Sequence, residues 1–419
     1  MKAYQTHTLD CGLRIIHHHN DSPIVYCGFA VKAGSCDEKP GEEGLAHFCE
    51  HGSFKGTSQR KASRVIQTLE ELGGELNAYT NKEATVYHCA ILKEHINKAI
   101  DLLADMVFHS TYPENEMEKE KDVICEEIES YNDSPADLIY DDFENIIFQQ
   151  HPLGHNILGS IDNVRRFTSA DARRFTAEFY QPDNAIFFVD GAVDFSKVCR
   201  RLAANAAFAD AEPHESKTKE SVERQQDKAM EASDGGASQT IIRDLSTHQA
   251  HVMIGCKAYD IHHPRRIALY LLNNIIGGPA MSSRLNMSLR ERHGLVYTVE
   301  SSMASYADTG IWSVYFGCDP SDVSRCQRLV RKELDRLMQT PLTPRKLEAA
   351  KRQLKGQIAL ACDSRESFAL DFAKSFLHYG WEKDVTALCR HIDSVTSADL
   401  LAVAQELFAV SNLKVLIYR

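Results

Sequence analysis

Residues 209–238 part a chain of 419 residues into two stretches whose elements follow one another in the same order, and that repetition restricts the fold more than any other feature. Before the break come strand-like runs at 13–16 and 24–31, a helix at 64–72 stopped by Gly73-Gly74, and paired strands at 75–80 and 84–92 that turn near 81–83. Apolar residues at helical spacing over 96–108 (Ile96, Ile100, Leu103, Met106, Val107) predict a helix buried on one side. Pro113-Glu114 opens another helix, because proline fits the first turn and acids suit the positive end of the dipole. After the break, strands at 240–245 and 250–256 lead to a helix at 266–276, strands at 297–302 and 309–316, a helix at 329–338 and a long helix opened by Pro344. The break itself has few large apolar residues and reads as a polar linker. The expected fold is α+β: two homologous αβ sandwich domains, 1–208 and 239–419, each a mostly antiparallel sheet packed with helices, joined by the linker 209–238.

Charge narrows the function. Lys and Arg total 47 against 59 Asp and Glu, a net charge of -12, which argues against a nucleic-acid binder or a binder of anionic membranes. The first residues run into a polar, strand-like segment without the apolar core of a secretory signal, and no apolar run approaches a membrane span. The expectation is a soluble, cytoplasmic protein. Its 12 cysteines never fall as Cys-x-x-Cys, and most lie in apolar runs, as reduced core thiols would. The consecutive His17-His18-His19 cannot converge on one ion if they lie on a strand, since successive rings alternate faces; a solvated turn is expected there.

The stretch Leu45-Ala46-His47-Phe48-Cys49-Glu50-His51-Gly52 reads His-x-x-Glu-His. On a helix, His47 and His51 stand one above the other with Glu50 beside them. Two neutral imidazoles and a carboxylate at that spacing suit a zinc ion and the water it activates. A chain with 19 His and 59 acids can also match three positions by accident, so the motif needs a partner. A catalytic zinc takes three protein ligands and keeps one position open. The helix opened by Pro113 is rich in carboxylates, and Glu120 and Glu127 are seven apart, two turns along one face. Spacing alone does not choose among Glu120, Glu126 and Glu127, and solvated acids paired with Lys119 and Lys121 account for most of that run. Glu50 would then be the base that takes a proton from zinc-bound water. The second half carries no such motif, and its long helix is basic, so a metal site belongs to the first half.

The carboxylate preceding the second histidine is the inverted arrangement of zinc peptidases. With Phe54-Lys55-Gly56-Thr57, Leu76-Asn77-Ala78-Tyr79-Thr80 and Glu83-Ala84-Thr85-Val86-Tyr87, it closely resembles the pitrilysin/insulinase metallopeptidase family, most of all the members like the mitochondrial processing peptidase beta subunit and its single-chain bacterial relatives. The resemblance implies Glu127 as third ligand and Glu120 as an accessory glutamate. It also implies that Arg290 and Tyr297, in Leu289-Arg290-Glu291-Arg292-His293-Gly294-Leu295-Val296-Tyr297, face the substrate, and that Asn77, Ala78 and Tyr79 form an edge strand that adds an extended peptide. A tyrosine hydroxyl and a guanidinium are apt donors to a substrate carbonyl or its oxyanion. Two departures stand out: Cys49 replaces the usual aliphatic residue, and the loop Gly277-Gly278-Pro279-Ala280 is less glycine-rich than is usual.

The function so implied is a zinc-dependent endopeptidase with one Zn2+ per chain, hydrolysing extended peptides inside an enclosed chamber, with Glu50, Glu120, Arg290 and Tyr297 as catalytic groups. A chain carrying both the zinc motif and the Arg-Tyr element implies a homodimer. The alternative is a non-catalytic structural or peptide-holding subunit of the same family, which predicts loss of His47, Glu50, His51 or Glu127; all four are present.

Overall fold

A computed structural model describes residues 4–208 and 239–419; the expected linker 209–238 lies outside the described residues. The fold is α+β, and the described chain packs as two units that do not follow chain order. The first comprises the described parts of Met1–Ser130, His155–Ser216 and Ala361–Lys383; the second comprises those of Tyr131–Gly154, Lys217–Leu360 and Asp384–Arg419. Residues 131–154 pack with the later part of the chain and residues 361–383 with the earlier part.

The first unit is built on β1 (Tyr4–Thr8), β2 (Arg14–His18), β3 (Ile24–Val31), β4 (Glu75–Thr80), β5 (Thr85–Leu92) and β6 (Ala185–Asp190), in the order β1-β2-β6-β3-β5-β4. The pairing of β2 with β6 is parallel and the others are antiparallel. Its helices are α1 (Leu45–Gly52), α2 (Ala62–Glu70), α3 (Ile96–His109), α4 (Glu114–Asn132), α6 (Ile161–Arg166), α7 (Ser169–Phe179) and α8 (Phe195–Ala203); α5 (Pro135–Ile147) belongs to the second unit.

The apolar run Ala185-Ile186-Phe187-Phe188-Val189 is buried at every residue because both faces of β6 are covered. Its alternate residues enter different clusters. Ala185, Phe187 and Val189 join Phe29, Leu45, Phe48, Ile100, Leu103 and Phe175 under the helices of one face. Ile186 and Phe188 join Ile16, Ala30 and Val86 on the other, beneath Ala369, Phe372, Ala373 and Phe376 of the Arg365–Tyr379 helix. Each large side chain so buried contributes roughly 1.5–3 kcal/mol, and the second face is covered by a helix that comes late in the chain.

The second unit contains β7 (Gln239–Arg243), β8 (Ala250–Ala258), β9 (Val296–Ser305), β10 (Gly310–Cys318) and β11 (Lys414–Tyr418), in the order β7-β11-β8-β10-β9. Here again one pairing, β7 with β11, is parallel. Reading β7, β11, β8, β10 and β9 for β2, β6, β3, β5 and β4 superposes the two orders, which is the duplication expected from the sequence. The copies share details as well. Buried Lys121 on α4 reaches Glu118 and the Arg165 carbonyl, and buried Lys351 on the Pro344–Ala361 helix reaches Glu348 and the Asp393 carbonyl. Thr168 with Asp171 and Thr396 with Asp399 form the same capping box. Cations cap the C-terminal carbonyls of the covering helices: Arg14 donates to Phe376 and Leu377, and Lys414 to Ile146 of α5.

The solvated turn expected at His17-His18-His19 is a correction. β2 runs through His18, and both faces of that strand are covered. His17 is 1% exposed, donates Nε2 to the Gly191 carbonyl and stacks on Phe195. His18 points the other way, edge-on to Phe368, and gives Nδ1 to Asp190 at 2.7 Å. None of the 12 cysteines is joined in a disulfide, and among the described residues no helix is long and apolar enough to cross a membrane.

Asp190 clamps the Arg365–Tyr379 helix to the sheet, accepting from His18, Asn20 and Arg365. Burial works against its charge, but the hydrogen bonds of His18 and Arg365 outweigh it and hold the carboxyl below the usual aspartate range. The stability it contributes is therefore present above the unfolded-state value of about 3.9 and is lost as pH falls through the depressed folded value. Asp190→Asn is expected to lose about 1–3 kcal/mol at neutral pH and to flatten the acid limb of a stability profile measured by urea unfolding. An unchanged profile would remove the clamp.

Candidate active site

α1 is held at both ends by groups that contribute nothing to the His-x-x-Glu-His pattern. Its first turn leaves orphan N–H groups. The carboxylate of Glu38, raised in pKa by burial, accepts from Gly44 N at 2.9 Å and Ala46 N at 2.7 Å, and receives His155 Nε2 at 3.0 Å. Gly44 sits at φ 101, and a Cβ there would lie 2.7 Å from the Leu158 carbonyl, so the turn into the helix requires glycine. At the other end Ser53 Oγ donates to the Cys49 carbonyl and meets the buried hydroxyl of Tyr87. Leu45, Phe48 and Cys49 are fully buried in the core, which leaves His47, Glu50 and His51 on the opposite side. Cys49 is thereby a core thiol, its Sγ 3.7 Å from the Ala172 carbonyl.

The three glutamates that spacing left open face different ways on α4. Glu126 is exposed, and Lys119 and Lys121 pair with Glu116 and Glu118. Glu127 Oε2 lies 3.4 Å from His51 Nε2 and 3.8 Å from His47 Nε2. Glu120 Oε1 instead meets the other ring nitrogen, His51 Nδ1, at 2.8 Å, while its Oε2 takes Lys55 Nζ at 2.6 Å. Among the described residues, the one group of metal-binding side chains found is His47, His51 and Glu127, with donor atoms all within 4.8 Å of one another. Zinc bonds of about 2.0–2.1 Å arranged tetrahedrally put donor atoms about 3.3–3.5 Å apart, close to the separations of Glu127 from the two rings. The donor set therefore fits zinc. Were His51 to ligate a metal through Nε2, Glu120 would be the carboxylate that fixes the ring through its far nitrogen.

The electrostatics differ between the two rings. His47 is pushed down to about 4, first by burial and then by the neighbouring His51. Burial also works against a charged His51, but Glu120 and Glu127 outweigh it and push the ring up to about 9. Glu127 is lowered, chiefly by its hydrogen bond with His51; Glu120 is lowered despite burial, by His51 and Lys55. To hold a metal ion, His51 would have to give up the proton that Glu120 and Glu127 favour on its ring.

Glu50, 8% exposed, is raised by burial, and its Oε2 accepts from Thr80 Oγ1 at 2.7 Å. Thr80 ends β4, and β4 is at the edge of its sheet, paired on one side with β5 alone. Asn77, Ala78 and Tyr79 lie in the middle of that strand, Asn77 exposed and the other two half-buried. In the second unit, Arg290 lies on a π-helical turn, 286–291, and Tyr297 is the second residue of β9. The Arg290 guanidinium carbon is 5.8 Å from the centre of the Tyr297 ring, which is 83% exposed. Sequence reasoning missed Thr80, Lys55 and Glu38 as site residues: Thr80 and Lys55 act on Glu50 and Glu120 from other parts of the chain, and Glu38 holds the start of α1 from the loop just before it.

In the duplicate, aligning Lys351 with Lys121 sets Ala350 against Glu120 and Gln357 against Glu127. The scaffold is repeated without these two carboxylates.

A family profile described as insulinase (peptidase family M16) matches residues 14–161, and one described as peptidase M16 inactive domain matches residues 166–354. The chain is 32% identical over 409 residues to an uncharacterized zinc protease of Bacillus subtilis, covering 96% of this chain and 95% of that protein. It is 34% identical over 400 residues to an uncharacterized zinc protease of Streptomyces coelicolor, covering 95% and 86%. A crystal structure of a protease from Helicobacter pylori has the same fold, with a TM-score of 0.87 over 99% of both chains at 23% identity.

Removing the brace on His51 gives a test of the donor set. Glu120→Gln is expected to weaken zinc binding by about 10- to 100-fold in chelator competition, whereas Glu126→Gln on the exposed face leaves it unchanged. Equal affinities in both variants would dismiss the role of Glu120.

Proposed function

Because the chain belongs to the insulinase family, peptidase family M16, we propose that it is a zinc endopeptidase that cleaves extended peptides, to process or degrade them, with one zinc ion per chain on His47, His51 and Glu127. The observation that carries the reading is the convergence of those three donors within 4.8 Å, with the buried carboxylate of Glu50 next to His51 on the same helix. When bound, zinc supplies a Lewis acid that acidifies water and polarises a peptide carbonyl.

The chain's own residues do the rest. The open edge of β4 at Asn77, Ala78 and Tyr79 offers main-chain groups to an extended peptide, which gives affinity with little demand on sequence. Glu50 takes a proton from the attacking water as the new C–O bond forms, and passes it to the amide nitrogen as the C–N bond breaks. Glu120 keeps His51 in one orientation through Nδ1. Arg290 and Tyr297 are assigned to the substrate carbonyl, a guanidinium and a phenol both being donors to an oxyanion. The proposed working form is a homodimer enclosing the peptide. A non-catalytic subunit of the same family is the other reading; it has no use for Glu50, and none of His47, Glu50, His51 or Glu127 is missing.

Zinc stoichiometry and cleavage of an unstructured peptide library test the mechanism together. Wild type is expected to bind one zinc and cleave. Glu50→Gln should bind zinc equally with turnover lower by about 10²- to 10⁴-fold, and chelation should silence the wild type. Equal turnover in both proteins sinks the mechanism. Sedimentation should give twice the 47.1 kDa chain mass, and a monomer at working concentration would refute the homodimer.

A further inference from the structure

Thr80 joins two parts of the proposed machinery that are otherwise separate, the strand that offers its edge to a peptide and the carboxylate that moves the proton. Side chains on a strand alternate, so Leu76, Ala78 and Thr80 share one face of β4 while Tyr79 takes the other. Leu76 and Ala78 pack against the core cluster that includes α1, and Tyr79 turns toward His88, their ring centroids 6.1 Å apart. Thr80, last on the α1 side, thus meets Glu50, donating its single hydroxyl hydrogen to Oε2 at 2.7 Å. Among the described residues no strand pairs with the outer edge of β4, since β5 lies on the inner edge, and the Ala78 N–H is held by the Asn77 side-chain oxygen at 2.9 Å, a bond that an incoming peptide carbonyl would replace. From Asn77 to Thr80 the strand rises by about 10 Å, so a peptide bonded to β4 has its register fixed relative to the residue that grips Glu50.

We propose that Thr80 is a positioning residue for peptide hydrolysis: its hydroxyl fixes the orientation of the Glu50 carboxylate relative to a peptide aligned on β4. This rests on the peptidase reading above. One oxygen of Glu50 is tied to the strand, and the other is left for the proton. A carboxylate without that tie rotates about its last bond and spends less time in the productive orientation. Substrate affinity is unaffected, because the peptide binds main-chain groups that the hydroxyl does not touch, and zinc is unaffected, because Glu50 lies outside the donor set.

The experiment is steady-state cleavage of one internally quenched, unstructured peptide by wild type, Glu50→Gln, Thr80→Val and Thr80→Ser, with zinc affinity and thermal melting recorded for each. Thr80→Val is expected to lower kcat by about 10- to 100-fold, with KM within about twofold and zinc affinity unchanged. Thr80→Ser, which keeps the hydroxyl, should recover kcat to within about threefold of wild type. If Thr80→Val melts before assay temperature, Thr80→Ala carries the same expectations. Wild-type kcat in the valine variant, a serine variant as slow as valine, or a loss of zinc or rise in KM in step with kcat each overturns the proposal. A wild type that does not cleave, or a Glu50→Gln that cleaves as fast, overturns the peptidase reading and this role together. An inactive Glu50→Gln beside a fully active Thr80→Val overturns the role of Thr80 alone.

Discussion

Two imidazoles and three carboxylates meet between α1 and the middle of α4, and keeping His47, Glu50 and Glu120 of that group buried is the demand that shapes the first unit. His47, Glu50 and Glu120 are 7%, 8% and 5% exposed. Desolvating an ion costs several kcal/mol unless it is paired and hydrogen-bonded. Each carboxylate accordingly has a partner from another element: Thr80 of β4 on Glu50, Lys55 and His51 on Glu120, both rings on Glu127. Glu127 keeps a side chain 45% exposed, so the donor group is open on one side as a working metal site must be. Glu38 plays the corresponding part at the start of α1, where its buried carboxylate takes up N–H groups that the helix leaves unpaired.

Such a cluster is tolerable only on a rigid support, and the support is a sheet buried on both faces. The alternation along β6 sends successive side chains into two different cores. The second core is completed by the Arg365–Tyr379 helix, from the far end of the chain, just as α5 of the earlier part packs on β8 and β11 of the second unit. Duplication supplied two sheets of the same strand order, and each exchanged helix covers the sheet of the other copy. The copies then diverged at the positions where chemistry differs. The buried lysine and the capping box persist in both, while Ala350 and Gln357 stand where Glu120 and Glu127 stand in the first. A buried lysine satisfied by a carbonyl and a carboxylate serves either copy of the scaffold, whereas Glu120 and Glu127 have histidines to meet only in the first.

The strands and long helices could be read from hydrophobic periodicity and from helix-start residues such as Pro344, and the repeated order from their succession. The histidines and Glu50 could be read because helical spacing alone puts them together. Which glutamate meets both rings could not: Glu120, Glu126 and Glu127 are alike as residues, and their difference is the direction each faces on α4 relative to α1. The histidine triplet failed for a similar reason. Alternation was correctly expected, but what covers the two faces of β2, Phe195 on one and the Arg365–Tyr379 helix on the other, is distant in sequence.

By itself, then, the sequence determined the α+β class, the duplication and the local chemistry of His47, Glu50 and His51, because these depend on periods of two and of 3.6 residues along a continuous chain. The tertiary structure alone decided which helices cover which sheet, which glutamate faces both rings and which braces one, and that Thr80 and Lys55 hold the carboxylates in place. Those are contacts between segments separated by tens to hundreds of residues, set by burial of whole faces, and no local pattern records them.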